Sequence, residues 1–206
     1  MDNPNSTKEA LQQASDIFNN IQLGIYIYHL ENTEDDKSLR LVSANPATEF
    51  LTGVPVKNVI GKTLDENFPG LRKKGIPQKY ADVVRKQQAI EIEDLYYGDK
   101  RVIEGAFSIK AFPLPNDHVG VSFENITIRK KAETELRESE SHYKLLFHNS
   151  PVGICYYDHK YRIMDFNDKF VEIFKTSREN LIEFDLQTVK DKRILNEGKG
   201  FNPIKK

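Results

Sequence analysis

Five histidines, one cysteine and a handful of short polar motifs carry what reactive chemistry this sequence has. His142 stands in "SESHYKLL", where a phosphoacceptor would need a dimerising helix hairpin and a glycine-rich ATP-binding domain downstream. Neither follows, so His142 reads as a solvated linker residue. His29, His118, His148 and His159 fall at scattered spacings that build no Ser/His/Asp or Cys/His set. Cys155, in "GICYY", reads as an inert thiol on an apolar strand. "GKT" at Gly61 to Thr63 ends like a phosphate-binding loop, but the glycine required five residues earlier is Val56. The acidic stretch "ENTEDD" lacks the alternating oxygen ligands and turn glycine of a calcium loop. "LRKKG" and "IRKK" are each offset by nearby acids and lack the interleaved aromatics of a nucleic-acid interface. No catalytic residues, and hence no enzyme, are expected within this chain, and no metal site.

Composition narrows the remaining classes. Thirty basic against 31 acidic residues leave a net charge of -1, which offers no broad attraction for nucleic acid or an anionic bilayer. The single cysteine excludes an internal disulfide framework, and "MDNPNSTKEALQQ" has neither a basic nor an apolar leader region. No apolar run reaches the roughly 18 residues of a membrane span. A cytoplasmic location is the expectation. With 38% hydrophobic residues over 206 positions, one or two domains can each bury a core.

The hydrophobic periods give the elements. Leu11, Ala14, Phe18 and Ile21 make an amphipathic helix within residues 1–21, with Ser6 or Thr7 as its cap. "QLGIYIYHL" and "SLRLVSA" read as strands. "NPATEFLTG" is a short helix, capped by Asn45 and ended by Gly53. Short turns broken by Gly61 and Pro69 lead to a longer helix, "IPQKYADVVRKQQ". Three strands close the unit: "AIEIEDLYY", "KRVIEGAFSIKAF" and "HVGVSFENI". In the middle one, Ile103, Phe107, Ile109 and Ala111 point one way while Glu104, Ser108 and Lys110 point the other. Strands at both ends of a helical middle predict an α+β domain: an antiparallel sheet with its helices on one side.

The C-terminal part repeats the N-terminal one. Phe18, Gly24, Ile25 and Tyr28 match Phe147, Gly153, Ile154 and Tyr157; Asn45, Leu51, Val59 and Ile60 match Asn167, Ile173, Leu181 and Ile182. The offset falls from 129 to 122, which places a seven-residue insertion in the "ENTEDDK" loop. The predicted domains are therefore 22–127, a helical linker over 128–146, and an N-terminal part of a second copy over 147–206. Chain end at Lys206 reads as a truncation, because the last three strands have no counterpart.

"ANPATEFLTG" with "VIGKTL", the terminal "ENIT" leading into "IRKKAETELRESESHYKLLFHNSPVGI", and "FNDKFVEIF" in the second copy make the chain resemble the PAS sensor family in its tandem form. The resemblance implies a five-stranded antiparallel sheet wrapped by short helices around a cavity, usually upstream of a histidine kinase or cyclic-dinucleotide enzyme. It also implies a relay at Asn125, Ile126 and Thr127, which stand where the family ends its last strand with Asp-Ile-Thr. Asn in place of the acid removes a salt bridge and keeps a hydrogen-bonding cap. Haem and flavin are not expected. The long helix offers no axial histidine, and Cys155 is not in the helix that carries the photoreactive cysteine of flavin-binding members. The cofactor, if any, is unknown.

Inward parity nominates Ile25, Ile27, Ile92, Phe107, Ile109, Val121 and Phe123 from the sheet, with Phe50, Tyr80 and Val84 from the helices, as the cavity lining; Tyr80 is the polar handle. In the linker, Ala132, Leu136, Ser139, Tyr143 and Leu146 follow a four-three spacing that could pair in a homodimer. The function expected is a signal-sensing module. A small ligand or dimerisation moves the last strand, and the linker relays the change to a downstream output domain. The alternative is a stand-alone adaptor that docks a protein partner through its sheet.

Overall fold

The computed structural model describes residues 4–182, apart from 161 and 176. The expected remainder of the second copy, 183–206, lies outside the described residues. Contacts divide the chain into two compact units at Glu133/Thr134.

In the first unit, helix α1 (Pro4–Asn20) precedes strands β1 (Gly24–Leu30) and β2 (Leu39–Ala44). Three short helices follow: α2 (Ala47–Thr52), α3 (Leu64–Asn67) and α4 (Ile76–Lys86). Strands β3 (Ile90–Tyr97), β4 (Gly105–Leu114) and β5 (His118–Asn125) complete an antiparallel sheet of order β2-β1-β5-β4-β3. Helix α5 (Thr127–His148) then leaves β5 after one intervening residue. Helix α1 starts at Pro4, so Ser6 and Thr7 lie inside it and do not cap it.

Register decides which side chains face the core. Gly24, Tyr26 and Tyr28 of β1 stand opposite Phe123, Val121 and Val119 of β5. Directly opposed residues share a face, so β1 turns its tyrosines inward. Ile25 and Ile27, expected in the cavity, are half-buried on the other face. On β4 the inward set is Phe107, Ile109 and Ala111, as the alternation predicts. The strand begins at Gly105, however, and Ile103 lies before it, 55% exposed. The preceding turn is held by Asp99, whose carboxylate accepts the N–H groups of Arg101 and Val102 at 2.7 and 2.9 Å. Asn116 and Asp117, in the β4–β5 hairpin, take φ of 58° and 57°, a left-handed conformation these two residue types tolerate.

Helix α4 lays Ile76, Tyr80, Ala81, Val83 and Val84 against the sheet. Helix α2 behaves differently. Its buried residues are Thr48 and Thr52, and Phe50 points to solvent at 89% exposure, which removes it from the expected lining. The threonines bury cheaply because each hydroxyl donates to a backbone carbonyl of the previous turn, Thr48 to Asn45 and Thr52 to Thr48, at 2.7 Å.

Asn45 does not cap α2. Fully buried, it accepts the Ile25 N–H on Oδ1 at 2.8 Å and donates from Nδ2 to the carbonyls of Phe18 and Leu23 at 3.1 and 2.8 Å. It thus ties the end of α1 to the start of β1.

The second unit contains strands β6 (Cys155–Tyr157) and β7 (Ile163–Phe166), paired antiparallel, and helices α6 (Asp168–Phe174) and α7 (Arg178–Ile182). Its core gathers Ile163, Phe166 and Leu181, with Cys155, Phe170 and Val171 at the margin. Arg178 lies 4.5 Å over the Phe166 ring. Cys155 is half-buried, and burial pushes its thiol pKa up. Asn167 makes the bonds of Asn45 again: Oδ1 accepts from Ile154 N–H at 2.9 Å, and Nδ2 donates to Phe147 and Val152 carbonyls at 2.9 Å each. Here it also caps its helix, accepting the Phe170 N–H.

Candidate functional site

A cavity of about 60 Å³ lies between the inner face of the first unit's sheet and the helices. Of the residues expected to line it, Tyr80, Phe107, Ile109, Val121 and Phe123 do so. Val84 and Ile92 belong to the core without reaching the cavity, Ile92 only partly buried. Sequence reasoning missed Tyr26, Tyr28 and Thr52, and the ring of Phe68 that tilts against Tyr26 at 5.7 Å. The β1–β5 register carries the signal for the tyrosines, since Val119, Val121 and Phe123 had already fixed the inner face.

The lining contains no Lys, Arg, His, Asp or Glu. Its polar atoms are hydroxyls. Thr52 is already committed, donating to Thr48 O and accepting the Val54 N–H at 3.2 Å. Tyr26 is 5% exposed, and its Oη is buried without a hydrogen bond. The Thr52 and Thr48 hydroxyls lie close enough to offset part of the burial that raises the Tyr26 pKa, but outside hydrogen-bond geometry. Tyr80, the expected polar handle, lines the cavity together with Tyr26 and Tyr28. Burial also raises the phenols of Tyr28 and Tyr80, and Tyr28 is raised further by its neighbours Tyr26 and Tyr80.

These shifts set an alkaline limit. A phenol whose folded pKa lies above its unfolded value near 10 leaves stability untouched below pH 10, and costs stability as pH rises beyond it. In a titration followed by phenolate absorbance, Tyr26, Tyr28 and Tyr80 are expected to ionise only in a cooperative step that coincides with loss of the fold. A smooth, non-cooperative titration of all nine tyrosines near pH 10 would contradict the burial described.

One end of the cavity wall meets the start of α5. Phe107 packs edge-to-face on Phe123 at 6.2 Å and stands directly opposite Asn125 in the β4–β5 ladder. Asn125 Oδ1 accepts the Thr127 N–H at 3.0 Å and the Thr127 hydroxyl at 2.5 Å. Thr127 Oγ1 in turn accepts the Ala106 N–H at 3.0 Å, and Ile126 N–H donates to the Ala106 carbonyl at 2.8 Å. Ile126 is buried. The expected relay residues Asn125, Ile126 and Thr127 are therefore one bonded cluster clamped to β4. Gly105 completes it, because a Cβ there would stand 2.7 Å from Thr127 Oγ1. No feature of the sequence marked that glycine. Lys130, a turn further on, pairs with Asp94 of β3 at 2.8 Å. Ala132 and Leu136 are exposed, as are Ser139, Tyr143 and Leu146.

Comparison with known proteins accounts for both units. A family described as PAS fold matches residues 26–131, more than half the chain, and one described as PAS domain matches 141–201. Sporulation kinase E of Bacillus subtilis (strain 168) is 30% identical over 151 residues, 71% of this chain. The chain spans about a fifth of that kinase's length. Among solved structures, an RNA-binding light-oxygen-voltage receptor superposes with a TM-score of 0.51 at 16% identity, covering 69% of this chain and 40% of that one. A domain of a sensory box sensor histidine kinase/response regulator from Geobacter sulfurreducens gives 0.47 at 12% identity, covering 58% and 96%. With its five-stranded antiparallel sheet, helix-covered cavity and two matched segments, this chain belongs to the PAS family of sensor domains.

Proposed function

We propose that the chain is the signal-input part of a longer cytoplasmic sensor, with no catalysis of its own. Its first cavity senses a small molecule, the β5–α5 junction relays the change, and the output, expected to be a histidine kinase, lies beyond these residues. The observation that carries this reading is the position of Phe107, which lines the cavity and directly faces Asn125 of the junction. A change in cavity filling that shifts Phe107 or Phe123 acts on residues bonded to the first turn of α5. The similarity to a sporulation kinase supports an output of that class.

Xenon tests the relay, since it enters dry apolar cavities regardless of their polar chemistry. Under xenon pressure, hydrogen exchange at the Ile126, Thr127 and Lys130 amides of the 206-residue chain is expected to change by about threefold or more. The Thr127→Ala variant should lose that response. Equal exchange with and without xenon in the parent protein, despite xenon-shifted cavity methyls, overturns the relay.

The exposed seam of α5 supplies the second arm of the reading. Ala132 and Ser139 occupy positions where a dimer would want larger apolar residues, so any pairing is weak and easily biased. Ala132→Leu with Ser139→Leu is expected to lock a dimer at micromolar concentration in sedimentation. A double variant that remains monomeric shows the seam is wrongly placed.

A further inference from the structure

Two exposed cations of the first unit meet without a counter-ion. Lys62 and Arg101 line one surface cleft of about 300 Å³, together with Gly53, Val54, Pro55 and Asn58. No Asp or Glu belongs to that lining. Among the described residues, neither cation takes part in an ion pair. The carboxylates of the segments that build the cleft are engaged with neutral donors instead. Glu49 accepts the Val56 N–H at 3.2 Å and Glu66 the Thr63 N–H at 2.7 Å. Asp99 accepts the N–H groups of Arg101 and Val102 and the Tyr97 hydroxyl.

Backbone groups hold both cations in place. The Lys62 carbonyl accepts the Leu41 N–H at 2.9 Å and the Lys62 N–H donates to the Val59 carbonyl at 3.3 Å, which fixes the root of this side chain beside β2. Arg101 is fixed at both ends: its backbone by the Asp99 turn, and its guanidinium by Nη2, which donates to the carbonyls of Glu66 and Asn67 at 3.3 and 2.5 Å. Among the described residues, the donors on its Nε and Nη1 have no partner, and neither has the Asn58 side-chain amide. A guanidinium that is already oriented loses little freedom on taking an anion.

Charge and size narrow the ligand. Two unpaired cations beside a neutral amide match a dianion, whereas a single carboxylate leaves one charge unanswered. A phosphate ester carries close to two negative charges near neutral pH, on three oxygens that suit both the fork of an arginine and the point charge of a lysine. The cleft also exceeds a bare phosphate, standing at the lower end of the range for small organic ligands, and Val54 and Pro55 give it an apolar wall. We infer that this cleft binds a small phosphomonoester, with Lys62, Arg101 and Asn58 on the phosphate and the organic part against Val54 and Pro55. The inference goes beyond the sensing role proposed above and does not rest on it. It bears on the same wall from the other side. Thr52 and Val102 line the inner cavity, their neighbours Gly53 and Arg101 line the cleft, and the Ile103 N–H joins the two segments by donating to the Thr52 carbonyl at 3.0 Å.

Inorganic phosphate, phenyl phosphate and acetate separate these contributions. Each is titrated into the 206-residue chain at about pH 7.5 and constant ionic strength, with amide NMR at Gly53, Lys62 and Arg101 as the readout. Both phosphates are expected to saturate with a Kd of about 1 mM or tighter, and acetate to bind about tenfold or more weakly. Lys62→Met, which removes a charge, and Arg101→Lys, which keeps the charge and loses the fork, should each weaken phosphate binding about fivefold or more. Lys57→Met removes a cation from the same loop but outside the cleft lining, and should leave the affinity unchanged. The Lys62 side chain makes no hydrogen bond among the described residues, so that variant reads binding even if Arg101→Lys disturbs the fold. Acetate matching phosphate, exclusion of phenyl phosphate, equal losses in Lys57→Met and Lys62→Met, or no saturable binding of phosphate overturns the inference.

Discussion

Asn45→Ala is expected to lower the melting temperature of the first unit by about 10 °C or more, a loss of about 3 kcal/mol. The side chain is fully buried and serves three backbone groups: the Ile25 N–H and the carbonyls of Phe18 and Leu23. Alanine leaves all three without a partner where water does not readily replace it, and opens a void beside them. Asn45→Asp should fare no better at neutral pH. A carboxylate can still accept from Ile25, but it confronts two carbonyl oxygens with negative charge where the amide donated. Thermal unfolding followed by circular dichroism checks both. A shift under about 3 °C for either would show that the tie contributes far less than its geometry implies. Asn167→Ala should destabilise the second unit for the same reason, since four hydrogen bonds there converge on one amide.

Gly105→Val should produce the second-largest loss, and a more localised one. The new Cβ would lie 2.7 Å from Thr127 Oγ1 and 3.0 Å from Asn125 Nδ2. Thr127 cannot swing aside without surrendering its bonds to Ala106 and Asn125. A loss of about 2 kcal/mol in urea denaturation is expected, together with faster exchange of the Lys130 amide, whose bond to the Ile126 carbonyl closes the first turn of α5. A cycle gives the sharper measurement. Gly105→Ala and Thr127→Ala both damage the same cluster, so the double variant should lose less than the sum of the two. Strict additivity would mean the glycine and the threonine act independently, and the junction would have to be redrawn.

How far the sequence could be read depended on whether polarity broke the tie between the two faces of each element. On β4, Ser108 and Lys110 are polar against Phe107 and Ile109, and the inner face could be assigned directly. Strand β1 reads "GIYIYHL", apolar on both parities, and hydropathy alone favours isoleucine over tyrosine for the interior. Pairing reverses that choice, because Tyr26 and Tyr28 oppose Val121 and Val119. Helix α2 misleads in the same way: Phe50 is its largest apolar residue, yet two threonines four apart turn inward by satisfying their own hydroxyls on the backbone. The equivalence of Asn45 and Asn167 was legible as a spacing, but the bonds it makes were not. An asparagine ahead of a helix reads as a cap until the carbonyls of a distant segment are placed beside it. The α+β class, the five strands and the extent of the first domain's helical middle needed none of these details, since they follow from period and turn chemistry alone.

The strand order brings the two ends of the first unit's sheet together. Strands β1 and β5 are antiparallel neighbours, and Gly24 at the start of one faces Phe123 near the end of the other. The polypeptide therefore arrives and departs at the same corner of the sheet. A module with adjoining ends can be duplicated, deleted or exchanged in a gene while the chain outside it keeps its course. At that corner Asn45 ties the arriving segment to the sheet and Thr127 ties the departing one.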